Sequence, residues 1–178
     1  MALTTYQRQG KKFEVYLEEL LKDVGKRKVK RNVQYFKTYF QHRQVDVEFH
    51  DYHFWNSHII VEAKYTGGVV KLKRRNDYQK KKQKISIDNI VNELEERRRY
   101  VGAREAILIT NRKFEKSVYK EAENYSSIQV YDLGDLEKLE KNRGLFKRSR
   151  DVQKTINSIN LKKYTEEAYH IYIGKRAK

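Results

Sequence analysis

Asp46 and the triplet Glu62-Ala63-Lys64 are the residues of this chain whose types and spacing suit chemistry best. A pair of carboxylates can hold a hard divalent cation, and such a cation can activate a water and stabilise charge on a phosphate. An adjacent lysine can position the nucleophile or neutralise a pentavalent transition state. Glu62 and Lys64 differ by two, so on a strand they leave the same face, and Asp46, on a neighbouring strand, would lie opposite Val45 and Val47 and meet them at one point. Glu62-Ala63-Lys64 is the only acidic-x-Lys triplet in the chain, and it directly follows Ile59-Ile60-Val61. Charges at the end of so apolar a strand are costly unless paired or metal-bound. Three arrangements are therefore open: a metal site, a buried ion pair of Lys64 with Glu62 or Asp46, or a register in which Glu62 and Lys64 both face water. A shifted register would put Glu48 or Asp51 in place of Asp46.

The elements that must carry these residues are legible in the periodicity. Phe13, Leu17, Leu20 and Leu21 recur at helical spacing, and Gly25 stands where that helix should stop. From Val33 to Phe40 aromatic and β-branched residues predict a strand, and Val45, Val47 and Phe49 alternate with polar neighbours as in a half-buried one. Residues 59 to 65 are nearly all apolar and read as a central strand, ended by Gly67-Gly68. Ser86 to Val101 reads as a helix with Ile87, Ile90, Val91 and Leu94 on one stripe and a Glu/Arg-rich opposite face. A buried strand follows at Ala106 to Thr110, then a helix bearing Phe114, Val118 and Ala122 with Asn111 as its cap. A strand from Ile128 to Leu133 and a short helix from Asp135 to Leu139 complete the order. Three strands followed by βαβ crossovers imply an α/β fold with a mixed central β-sheet flanked by helices.

Composition narrows the function classes. The 178 residues hold 40 Lys and Arg against 24 Asp and Glu, for a net charge of +16. Nearly all of that excess sits in Lys71 to Lys84, net +7, and in Lys141 to Lys178, net +8. Two dense basic runs flanking a near-neutral body suit a polyanion, nucleic acid before an acidic membrane surface. Cysteine is absent, which excludes thiol nucleophiles and thiolate zinc sites, so a catalytic metal would have oxygen ligands. No apolar run is long enough for a bilayer and the N-terminus lacks the apolar core of a signal peptide, so the expectation is an intracellular protein. His42, His50, His53, His58 and His170 show no helical metal spacing, and Tyr35, Tyr39, Tyr52 and Trp55 could stack on bases or simply cover a sheet. No Gly-rich phosphate loop or nucleophile elbow is present.

With these residues in place, the chain resembles the PD-(D/E)xK nuclease superfamily, and within it the catalytic domain of Mrr-type restriction endonucleases. The resemblance covers roughly residues 10 to 140 and is carried by Gly10-Lys11-Lys12-Phe13-Glu14, Val45-Asp46-Val47, Val61-Glu62-Ala63-Lys64, Ala106 to Asn111 with Phe114, and Tyr131 to Leu136. Gln44 departs from the Gly usual in Mrr-type domains, and Glu62 from the Gln of many; Glu-x-Lys is equally familiar from archaeal Holliday junction resolvases.

The resemblance implies a restriction-endonuclease-like fold, one nuclease domain over 1–178 with a basic extension from 141, and a Mg²⁺- or Mn²⁺-dependent cut of DNA. Asp46 and Glu62 would be metal ligands with the Ala63 carbonyl, Lys64 would orient the attacking water, and Glu14 would reach the same metal directly or through water. Lys71, Lys73, Arg74, Arg75, Lys80, Lys81, Lys82 and Lys84, with the basic extension, would grip backbone phosphates. Such contacts carry no base information, so the enzyme would be structure-directed or weakly sequence-specific, or would borrow specificity from a partner subunit. Two other readings are a Holliday junction resolvase acting as a homodimer and a non-catalytic basic nucleic-acid-binding protein.

Overall fold

Thr4 starts the first helix with a capping box: its Oγ1 accepts the Gln7 amide at 3.2 Å while its own amide donates to Gln7 Oε1 at 2.9 Å. This helix, α1 (Thr5–Asp23), buries Phe13, Tyr16, Leu17, Leu20 and Leu21, and the chain leaves it through Gly25 at φ +87°. The computed structural model describes residues 3–38, 41–51, 57–72, 89–144, 147–164 and 169–172. No described helix is long and apolar enough to cross a membrane.

A meander follows. Strands β1 (Arg27–Thr38), β2 (Gln41–Asp51) and β3 (Ser57–Lys64) pair antiparallel in sequence order. Helix α2 (Ile90–Val101) crosses over to β4 (Glu105–Thr110), which runs parallel to β3, and α3 (Lys116–Ala122) leads to β5 (Ile128–Tyr131), parallel to β4. Helices α4 (Leu133–Lys141) and α5 (Val152–Ser158) and a 3₁₀ turn (Leu161–Lys163) precede β6 (Tyr169–Tyr172), which joins the far edge parallel to β1. The mixed sheet has the order β5-β4-β3-β2-β1-β6. It is the α/β architecture expected, consistent with a restriction-endonuclease-like fold.

Each face of the sheet has its own apolar layer. Phe13, Leu17 and Leu20 of α1, Leu136 of α4 and Val152 and Ile156 of α5 pack on Val47, Phe49, Val61 and Ile109. Ile90, Val91 and Leu94 of α2 and Val118 of α3 pack on Val33, Val45, Ile60 and Leu108. Val45 and Val47 thus belong to different layers, which corrects their placement on one face. The two-residue period breaks at Asp46, between the pairs Val33↔Val45 and Arg31↔Val47, and the residue across from it, Asn32, has φ +55°. On β1 the same switch separates Val29 from Val33, on either side of the left-handed Asn32.

Several boundaries also differ from expectation. Helix α2 begins at Ile90, capped by Asn89 Oδ1, which accepts from the Val91 amide at 2.8 Å; residues 86–88 lie outside the described ones. Asn111 does not cap α3, whose N-cap is Glu115 without a side-chain bond. The last expected strand ends at Tyr131 because Asp132 starts α4 with a capping box to Asp135. The basic segment beyond 141 is partly architectural, since α5 buries Val152 and Ile156 against α1.

Candidate active site

The site forms where β2 and β3 separate. Their paired register runs from Asp51↔Ser57 to Val47↔Val61; beyond it β3 continues beside β4 alone, with Glu62↔Leu108, Ala63↔Ile109 and Lys64↔Thr110. At the fork the Ala63 amide has no ladder partner on β2, and the Asp46 Oδ2 accepts it instead at 2.8 Å. This bond fixes the Asp46 side chain against the very triplet that carries the other carboxylate. Asp46 is only partly exposed, and burial raises its pKa above the ordinary aspartate value, opposed by the Ala63 hydrogen bond and the charges of Lys64 and Arg97.

Glu62 is 8% exposed and holds two cations: Lys64 Nζ on Oε1 and an Arg97 guanidinium nitrogen on Oε2. The Arg97 pKa is lowered, first by burial and then by repulsion from Arg43, while Asp46 opposes the shift. Arg97 Nε is buried with no hydrogen-bond partner, so the guanidinium keeps a donor that the described residues do not use. Two carboxylates and two cations cluster here, and their formal charges cancel.

Arg97 is absent from the sequence reading, which assigns it to the solvated Glu/Arg face of α2. Its neighbours follow that reading in part, since Arg98 and Arg99 both pair with Glu95. The signal was in the spacing: Ile90, Leu94 and Val101 are buried on α2, and position 97 lies three after Leu94 and four before Val101, on the inward stripe.

The strand end is braced from β4 and α5. Thr110 Oγ1 donates to the Lys64 carbonyl at 2.7 Å. Asn111 Oδ1 accepts the Thr66 amide at 2.8 Å, and its Nδ2 donates to the Thr66 carbonyl at 3.0 Å and to Gln153 Oε1 at 2.9 Å. Gln153 in turn donates to the Tyr65 hydroxyl at 2.8 Å. Asn111 therefore locks the segment that follows Lys64 instead of opening a helix.

An open cleft of roughly 640 Å³ lies beside the strand end. Ala63 and Lys64 line it from β3, Glu14 from α1, and Lys71 from the loop beyond β3. The structure thus brings Asp46, Glu62, Ala63 and Lys64 together and sets Glu14 and Lys71 along the adjoining cleft. Lys73, Arg74, Arg75, Lys80, Lys81, Lys82 and Lys84 lie outside the described residues, as do Tyr39, Tyr52, His53 and Trp55. The other carboxylates considered are engaged elsewhere: Glu48 with Tyr35 and His58, Asp51 with Lys26. Tyr35 is buried by that contact and presents no ring for stacking.

An all-oxygen donor set of Asp46, Glu62 and the Ala63 carbonyl suits a hard divalent cation in its chemistry. Among the described residues no three His, Asp or Glu side chains stand together as a ready-made metal cluster. Both Glu62 oxygens already carry cations, so a metal there must share Glu62 with Lys64 or displace Arg97.

No family model matches the chain, and no curated protein matches it. Among solved structures it is similar to the crystal structure of a protein of unknown function, AF1548, with a TM-score of 0.54 at 16% identity. The match covers 74% of this chain and 65% of that one, so it spans less than two thirds of the other protein. At this identity the likeness speaks to the fold alone.

Proposed function

We propose that this chain is a divalent-metal-dependent endonuclease that hydrolyses DNA phosphodiester bonds. The observation that carries the reading is the fork of β2 and β3, where Asp46 accepts the Ala63 amide and so stands against Glu62 and Lys64. The β2–β3 ladder ends at Val47↔Val61, and past that point a side chain, Asp46, takes the place of a ladder acceptor beside Glu62 and Lys64.

Asp46 and Glu62, with the Ala63 carbonyl, would hold Mg²⁺ or Mn²⁺. When bound, such a cation supplies an activated water and neutralises charge on the scissile phosphate. Lys64, held on Glu62 Oε1, would orient the attacking water or a phosphate oxygen. The Asp46–Ala63 bond keeps one carboxylate from rotating away, and the Asn111 brace keeps Lys64 in register. Glu14, Lys11 and Lys71 line the cleft through which the backbone would pass, and the net charge of +16 favours a polyanion.

Cleavage of supercoiled plasmid, linear duplex, single strand, four-way junction and RNA in Mg²⁺, Mn²⁺ or EDTA tests the proposal, with Glu62→Ala alongside. Metal-dependent cutting that Glu62→Ala abolishes supports it; a preference for the junction would make the enzyme a resolvase. A second reading has one observation behind it: Lys64 and Arg97 both pair with Glu62 without any metal, as in a non-catalytic nucleic-acid-binding protein. That reading expects tight binding and no cutting in every metal.

A further inference from the structure

Among the described residues two large apolar side chains stand exposed, Tyr6 at 64% and Val69 at 56%. Both line the cleft beside Lys64. Single exposed apolar residues are ordinary on a protein surface, but these two come from segments 63 residues apart and share one opening. Neither is loosely held. The Tyr6 hydroxyl donates to the Tyr65 carbonyl at 2.9 Å, and its ring meets the Tyr65 ring edge-on with centroids 6.5 Å apart. Val69 precedes Val70, which donates to the Lys113 carbonyl at 2.9 Å and accepts the Glu115 amide at 2.8 Å.

Gly10 supplies an independent observation. It sits inside α1, four residues after Tyr6 and four before Glu14, so the three share a helix face, and all three line the cleft. Glycine inside a helix costs about 1 kcal/mol relative to alanine. Packing does not demand it, because a Cβ built there meets nothing within 4 Å. Its effect is to leave the cleft open between the exposed ring and the acid.

We infer that this cleft takes an unpaired nucleotide next to the scissile phosphate, with the base on the Tyr6 ring and Val69 and the backbone toward Lys11 and Lys71. The inference rests on the proposed nuclease reading and gives it a substrate class: DNA with a single-stranded or splayed segment at the cut. Every base offers a π-face, so such a platform selects unpaired strands without reading sequence. A base inside a continuous duplex is stacked on both sides and cannot use the ring.

The test is fluorescence anisotropy in EDTA with a labelled single strand, its duplex and a splayed-arm fork of the same sequence. The wild type should bind the single strand and the fork more tightly than the duplex. Tyr6→Ala should reduce the single-strand-to-duplex affinity ratio about tenfold, and Tyr6→Phe, which keeps the ring, should retain most of it. Gly10→Leu should melt no lower than wild type, since it improves helix propensity, yet fill the cleft and reduce the ratio as Tyr6→Ala does. Equal wild-type affinity for all three probes, or a ratio untouched by Tyr6→Ala and Gly10→Leu, overturns the inference and leaves the nuclease reading standing if plasmid is still cut. Failure of the wild type to bind any probe overturns the inference, and overturns the nuclease reading too if no substrate is cut in Mg²⁺ or Mn²⁺.

Discussion

The Asp46 carboxylate accepts the backbone amide of Ala63 at 2.8 Å across the fork between β2 and β3. A side chain thus stands in for a ladder bond, and the same oxygen-bearing group is turned toward Glu62 and Lys64. The arrangement separates two roles of Asp46, acceptor and charge, which ordinary substitutions can divide.

Asp46→Asn retains an acceptor for the Ala63 amide and removes a charge whose burial raises its pKa. Chemical unfolding should therefore find this variant as stable as wild type or more so. Asp46→Ala leaves the amide without its partner and should lose about 1–3 kcal/mol. Cleavage should fall below detection in both. A stable, active Asp46→Asn would show that the charge is dispensable.

Arg97 is the counter-ion a divalent cation must compete with on Glu62. Removing a positive charge a few ångströms from two carboxylates should tighten Mn²⁺ binding by Arg97→Ala at least about tenfold, read by calorimetry. Glu62→Ala should instead weaken it and strand Lys64 and Arg97 without their shared partner. Unchanged Mn²⁺ affinity in Arg97→Ala would mean that the guanidinium already leaves Glu62 to the metal at no cost.

The contrast between Asp46 and Arg97 explains how much of the site was legible in sequence. Asp46, Glu62 and Lys64 announce themselves because their placement follows from the two-residue period of strands and from a charge at the end of an apolar run. The same period misplaced Val45 beside Val47, because the alternation of β2 breaks at Asp46, where its pairing with β3 ends, and no local rule announces that break. Arg97 was hidden by its neighbours: the charged run Glu95 to Arg99 reads as one solvated face, although position 97 falls on the stripe of Ile90, Leu94 and Val101 and its side chain reaches Glu62. Strand β6 is short and lies in a basic segment, and it pairs with β1 across more than 130 residues, a partner that local pattern cannot supply. The helices were legible because each buries one stripe, and β3 and β4 because both of their faces are apolar.

Asn111 makes a prediction about rigidity. Its amide side chain satisfies both backbone groups of Thr66, so Asn111→Ala should speed hydrogen exchange of the Thr66 amide at least about tenfold and cost about 1–3 kcal/mol. Asn111→Asp keeps an acceptor for that amide and loses the bonds to the Thr66 carbonyl and Gln153. Its Thr66 amide should stay protected while cleavage drops, because Asn111 then holds Thr66 by one bond instead of two. Equal exchange in wild type and Asn111→Ala would mean that the bonds from Asn111 do not protect Thr66.

Glu95 governs the acid limit of stability. Hydrogen bonds from Arg98, Arg99 and Ser127 hold its carboxyl at a pKa of about 2, below the ordinary glutamate value of 4.5. A group whose folded pKa is depressed contributes stability that is fully present above its unfolded pKa and is lost as pH falls through the folded one. The contribution, on the order of 2 kcal/mol, should thus be intact at pH 6 and decline between about pH 4.5 and 2. Urea unfolding across that window should show a steeper loss for wild type than for Glu95→Gln, whose side chain does not titrate, with the two curves converging at the acid end. Parallel curves would assign the acid sensitivity to other carboxylates, with Glu48, lowered by hydrogen bonds from His58 and Tyr35, and Asp23, lowered by Lys147 and Arg143, the next to substitute.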